Sequence, residues 1–130
     1  MPPPTPQPLR KVGAKHSDFS PLLLRYDPIT NHFVLTEDFV TPEYTIPKGE
    51  YTDGATRPEW AELIGVHDYD RHLYACVVHD WMYRHAIATK AEADSLFETN
   101  LIRCHELFGF SAELIPLMVA AVRIGGKGAY

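Results

Sequence analysis

The chain has 130 residues, 45% of them hydrophobic, which is typical of one globular domain with a real core. Its net charge of -5 argues against a nucleic-acid partner, and its apolar stretches are too short for a transmembrane helix of about 20 residues. There is no apolar run of a signal peptide behind the N-terminus, and Cys76 and Cys104 do not make a disulfide framework. We therefore expect synthesis in a cytoplasm, with both thiols reduced.

A proline-rich arm is predicted at the N-terminus. Residues 1–9 contain five prolines, which fix φ and remove amide donors, so this segment favours an extended polyproline conformation. We place the arm at residues 1–18 and a single globular domain at residues 19–130. Because an extended arm without a core is more easily ordered by a neighbour than by itself, we expect it to dock onto a partner.

The chain then reads as β structure over about residues 20–52. Two short apolar runs, 22–26 and 32–36, flank the turn-forming residues 27–31 and predict an antiparallel hairpin. Residues 44–52 predict a third extended segment, which Pro47 confines to a sheet edge or a bulge.

Two long helices are predicted next, at about residues 70–86 and 89–109. Thr89 and Glu92 form a capping box at the start of the second helix, and Gly109 can take the left-handed cap at its end. The linking segment is short, so the two helices must run antiparallel. The prediction is an α+β fold, in which a small N-terminal antiparallel sheet precedes three main helices.

Two further helical segments flank this pair. Pro58 suits the first turn of a short helix that Gly65 closes. Ser111 is expected to cap the third main helix, which continues to about Ile124, and Pro116 is expected to kink it from inside.

Polar side chains interrupt the apolar sequence of the helix pair. His79 and Tyr83 lie one turn apart on the first helix, and Asp94 lies at a matching distance beyond the loop. A hydrogen bond from the imidazole to this carboxylate would fix the histidine tautomer and raise its basicity. We therefore identify His79, Tyr83 and Asp94 as candidate catalytic residues.

Asp80 is expected to have a different role. Its side chain points about 100° around the helix from that of His79, so the two side chains cannot contact Asp94 equally well. It can instead face the loop that contains Asp53 and Gly54. Oxygen-rich sites suit calcium or magnesium, so these three residues are the candidate metal ligands.

Other interpretations stay open. The same side chains fit a purely structural polar network, because buried polar groups occur where they satisfy one another. His72, Cys76 and His79 have a possible zinc spacing but no evident fourth ligand. Cys76 lies among apolar residues and Ser95 lacks the glycines of a nucleophile elbow, so both are weak candidates for a nucleophile.

Four blocks along the chain resemble a domain-of-unknown-function family that is widespread in tailed bacteriophages and prophages. The blocks are Ile46–Pro58, Val78–Arg84, Glu92–Phe97 and Ala121–Gly126. The resemblance implies a phage or prophage origin and a structural component of the virion, at the tail or its tip. It also implies synthesis in the host cytoplasm and other virion proteins as partners, reached through the proline-rich arm.

The helix pair also resembles that of secreted phospholipases A2, especially the short prokaryotic enzymes. In that family a histidine activates water, the next aspartate binds calcium, a tyrosine one turn on supports the site, and an aspartate on the antiparallel helix orients the histidine. His79, Asp80, Tyr83 and Asp94 match these roles in turn. The resemblance implies a phospholipase A2-like helical core and a calcium-assisted hydrolase of lipid or cell-envelope esters. The residues alone leave enzymatic activity open.

Overall fold

The computed structural model of this protein describes residues 19–52 and 71–125. The chain divides into two compact units, with the boundary between residues 53 and 54. Antiparallel strands make up the regular structure described in the first unit, and three α-helices follow in the second, which confirms the predicted α+β class. The predicted arm, the short helix that begins at Pro58, and the loop residues Asp53 and Gly54 lie outside the described residues.

The first unit contains a three-stranded sheet in the order β1-β2-β5 and a two-stranded sheet of β3 and β4, both antiparallel. In chain order the strands are β1 (Leu24–Asp27), β2 (His32–Leu35), β3 (Phe39–Val40), β4 (Thr45–Ile46) and β5 (Tyr51–Thr52).

The predicted hairpin is present as β1 and β2. The carboxylate of Asp27 accepts hydrogen bonds from the backbone N–H of Ile29 and the hydroxyl of Thr30, at 3.0 and 3.1 Å. Asn31 has a φ of 60°, a left-handed conformation that asparagine tolerates. Asp27 therefore ends the first strand and also organises the turn.

The prediction of a single extended segment over residues 44–52 is wrong. The structure splits it into β4 and β5, which belong to different sheets, and β4 pairs with a strand that was not predicted. Pro47 follows β4 and has no amide to donate to a ladder. Gly49 takes a φ of 91° and donates its N–H to the carbonyl of Leu35 at 2.9 Å, so the chain turns there towards β2.

The second unit is built on the predicted helix pair. Its helices are α1 (Leu73–His85), α2 (Lys90–Phe108) and α3 (Ile115–Gly125), with a short 3-10 helix at Ala112–Leu114. The hydroxyl of Thr89 accepts the N–H of Glu92 at 3.1 Å, and Gly109 ends α2 with a φ of 78°. Both predicted boundaries of α2 are therefore confirmed. A side-chain cap begins the helix and a left-handed glycine ends it.

Ring contacts show that α1 and α2 run antiparallel. The ring centroids of Tyr74 and Phe108 are 4.8 Å apart at one end of the pair. Nearer the connecting loop, the rings of His79 and Phe97 are 4.6 Å apart. Early residues of α1 thus meet late residues of α2, as the short loop requires.

The third helix differs from its prediction at both special residues. Pro116 is the second residue of α3, in the first turn, where its missing N–H removes no helical hydrogen bond. The expected kink therefore does not arise inside the helix. Ser111 precedes the 3-10 helix and makes no capping hydrogen bond with its side chain, so the predicted cap is also wrong.

The buried face of α2 carries two polar residues among apolar ones. Its members recur every three or four positions, as one face of a helix requires: Ala93, Asp94, Phe97, Asn100, Leu101 and Cys104. Within the described ranges, no helix is long and apolar enough to cross a membrane.

Two neighbours on α2 test which face of the helix is packed. Leu101 is fully buried, whereas the side chain of Ile102 is 44% exposed. We expect Leu101→Ala to lower the free energy of unfolding by about 2–5 kcal/mol, because it leaves a cavity. Ile102→Ala should change it by no more than about 0.5 kcal/mol. Urea denaturation of both variants measures this, and equal losses would contradict the packing of α2 described here.

Candidate functional site

The site is centred on a buried carboxylate. The side chain of Asp94 is only 3% exposed. Its Oδ1 atom accepts hydrogen bonds from His79 Nε2 at 2.8 Å and from the Tyr83 hydroxyl at 2.5 Å. Its Oδ2 atom accepts a hydrogen bond from Lys90 Nζ at 2.7 Å. A charge removed from water in this way is stable only when such donors surround it.

Helical spacing brings these four side chains together. His79 and Tyr83 are four residues apart on α1, and Lys90 and Asp94 are four residues apart on α2, so each pair shares one face of its helix. The antiparallel packing then brings the two faces level. The predicted contact between His79 and Asp94 is present, and so is the support from Tyr83.

The imidazole of His79 is held in one orientation. Its ring centroid lies 4.2 Å from that of Tyr83 and 4.6 Å from that of Phe97, and its side chain is 12% exposed. Because an ionised carboxylate only accepts hydrogen bonds, Nε2 carries the proton. The lone pair is therefore on Nδ1, the atom that a general base needs.

Electrostatics assign different charges to the two partners at neutral pH. Burial lowers the pKa of His79, and it outweighs the opposite effect of the hydrogen bond to Asp94. Burial raises the pKa of Asp94, but the hydrogen bonds from His79, Lys90 and Tyr83 prevail and hold it below its usual range. The pair is thus a neutral imidazole beside an ionised carboxylate, which is the resting state of a base and its orienting acid.

Lys90 belongs to the site, although it was not predicted from the sequence. Besides Asp94, its ammonium donates to the backbone carbonyls of Val122 and Arg123 in α3, both at 3.2 Å. It also lies 5.9 Å from the centroid of the Tyr83 ring. The four-residue spacing from Asp94 is a sequence signal for the ion pair, whereas no local pattern predicts its contact with α3.

Asp80 points away from Asp94, as its angle around α1 predicts, and forms an ion pair of its own. Its Oδ2 atom accepts a hydrogen bond from Arg84 Nη1 at 2.5 Å, and both side chains are partly exposed. The other predicted metal ligands, Asp53 and Gly54, are not among the described residues. Of the three predicted ligands, Asp80 is the one described residue, and its carboxylate is paired with a guanidinium group, so calcium stays a prediction.

The positions of His72, Cys76 and His79 give no support to the zinc interpretation. His72 is fully buried and its ring lies 5.3 Å from that of Phe110. Within residues 19–52 and 71–125, no three histidine, cysteine or acidic side chains are grouped to hold a metal ion.

The two cysteines are buried free thiols. Burial raises the pKa of Cys76 well above its usual value and raises that of Cys104 to about 12. Since the thiolate is the reactive form, neither residue has the character of a nucleophile. Ser95 is exposed on α2, one residue beyond Asp94.

Fold and site together define a small α+β protein with a largely buried histidine–aspartate pair on an antiparallel helix pair. The family model described as "Protein of unknown function (DUF1353)" matches residues 29–108, more than half of the chain, and the chain belongs to this family. This confirms the predicted membership of a domain-of-unknown-function family, and the match includes α1, α2 and the histidine–aspartate pair. No curated protein and no solved structure matches the chain.

The lowered pKa of His79 has a consequence for stability. The folded state binds this proton less readily than the unfolded state, where the pKa is near 6.5. The contribution of His79 to the free energy of unfolding is therefore fully present above about pH 6.5 and is lost as the pH falls through the lower folded pKa.

Chemical denaturation between about pH 5 and 8 measures this effect. His79→Gln keeps a donor for Asp94 but does not titrate, so we expect its stability to fall less steeply towards acid than that of the wild type. Parallel curves for the two proteins would contradict the assigned pKa shift. His85→Gln, which changes an exposed histidine at the end of α1, is the control and should follow the wild type.

Proposed function

We propose that His79 and Asp94 form the general-base site of a hydrolase that acts on lipid or cell-envelope esters. The observation that carries the proposal is the 2.8 Å hydrogen bond from Nε2 of a neutral imidazole to a buried, ionised carboxylate. This bond places the basic lone pair on Nδ1, away from Asp94.

The proposed reaction needs one water and one ester. Nδ1 of His79 removes a proton from the water as its oxygen bonds to the ester carbonyl carbon. Asp94 stabilises the imidazolium ion that forms. The carbon–oxygen bond to the leaving group then breaks, and the imidazolium ion returns the proton to the departing alkoxide. The products are a carboxylic acid and an alcohol, and the histidine is neutral again.

The substrate class is supported by the resemblance of the helix pair to secreted phospholipases A2. The contacts of His79, Tyr83 and Asp94 are those that the matching roles require. Calcium stays a prediction for Asp80, Asp53 and Gly54. Because Asp80 alone among these three residues is described, no step above depends on that ion.

A purely structural network is the competing interpretation, and activity separates the two. We expect the protein to hydrolyse at least one member of a panel of phospholipids and simple esters. His79→Gln should lower kcat by about 100- to 10,000-fold, the usual contribution of a general base. Acid release measured in a pH-stat gives the rates, and circular dichroism checks that each variant is folded.

His85→Gln is again the matched control and should keep full activity. The panel is run with added calcium and with a chelator, so that a requirement for calcium would assign Asp80 to a metal site. No turnover of any ester by the wild type, or equal turnover by His79→Gln, would refute the hydrolase.

A virion component is the second proposed role, and it is compatible with the first because a tail protein can carry an envelope-attacking activity. Its support is the resemblance of the four sequence blocks to the phage family, together with the proline-rich arm. We expect mass spectrometry of purified phage particles to detect the chain in a fixed copy number, and deletion of residues 1–18 to abolish its incorporation. Particles that contain no copies would exclude this role.

A further inference from the structure

Lys90 links α3 to the histidine–aspartate pair. Its ammonium group has three N–H donors, and the structure gives it three acceptors: Asp94 Oδ2 at 2.7 Å and the carbonyls of Val122 and Arg123 at 3.2 Å each. These carbonyls lie in the last turn of α3, where the helix dipole attracts a cation. The position of the ammonium group is therefore determined by α3 and not only by its own flexible side chain.

The hydrogen bonds to Asp94 are divided unequally between its two oxygens. His79 and Tyr83 both donate to Oδ1, and Lys90 donates to Oδ2. Rotation about the bond that carries a carboxylate is soft, so two donors on a single oxygen do not determine the plane of the group. A third donor on the other oxygen does determine it.

We propose that Lys90 is a positioning residue that fixes the rotation of the Asp94 carboxylate and thereby keeps His79 in its Nε2–H tautomer. Lys90 does not touch the substrate in this scheme. It acts through Asp94, and the end of α3 holds it in place. The effect on catalysis rests on the proposed hydrolase function, whereas the effect on the tautomer does not.

The tautomer of His79 is the decisive measurement. The full chain is labelled with 15N-histidine, and long-range proton–nitrogen NMR spectra are recorded at one neutral pH; comparison with His79→Gln assigns the signals. We expect the wild type to show the Nε2–H form alone. Lys90→Met should show a second population protonated on Nδ1, and Lys90→Arg, which keeps charge and donors, should restore the single form.

Leu101→Ala is the matched control for a merely structural role. Leu101 is a buried residue of α2, seven positions after Asp94, so its truncation lowers Tm without removing any donor to Asp94 or any acceptor of Lys90. His79 in this control variant should have the same tautomer as in the wild type. Lys90→Gln takes the place of Lys90→Met if the latter does not fold, and it should also show the second population.

Activity gives an independent arm of the same experiment. Lys90→Met should lower kcat by about 100-fold, the usual cost of a misplaced catalytic group, with KM unchanged. A single Nε2–H form in Lys90→Met and Lys90→Gln, or a second population in Leu101→Ala, would overturn the positioning role. A wild type that hydrolyses no ester, combined with a shifted tautomer in Lys90→Met, would refute the hydrolase and keep the positioning role.

Discussion

The ionised carboxylate of Asp94 is the constraint on which the helical unit depends. A buried carboxylate costs several kcal/mol, on the order of the whole stability of a small domain, unless donors replace the lost water. Three donors do so here: His79 and Tyr83 from α1, and Lys90, the first residue of α2, which also donates to α3. The three helices are therefore joined at one polar point as well as by apolar packing.

The same contacts that stabilise the fold also fix the orientation of the imidazole. A network whose role is only to satisfy a carboxylate would serve equally well with a fully buried histidine. His79 instead keeps some exposure, and its lone pair is on the nitrogen opposite Asp94. The adjacent Asp80 forms an ion pair with Arg84, because one step along a helix turns the side chain by about 100°. Neighbours in the sequence thus have separate environments.

Predictions from the sequence succeeded where the determining contacts are local. The carboxylate of Asp27 accepts a hydrogen bond within the turn that follows it, and the hydroxyl of Thr89 caps the helix that it precedes. Gly109 adopts the left-handed backbone conformation that ends α2. Each of these features involves residues within about four positions of one another, so the residue types are sufficient to indicate it. The contact between His79 and Asp94 is less local, but a short loop between two helices leaves little freedom in how they align.

Other features depend on where distant segments meet. The split of residues 44–52 between two sheets follows from pairing with β2 and β3, and the position of Pro116 in its helix follows from the preceding 3-10 turn. The site shows the same division. The sequence by itself determined the helix pair and the contact between its histidine and aspartate, because helical periodicity and a short loop specify them. Only the tertiary structure decided that Lys90 completes the site, because its acceptors in α3 are more than thirty residues away along the chain.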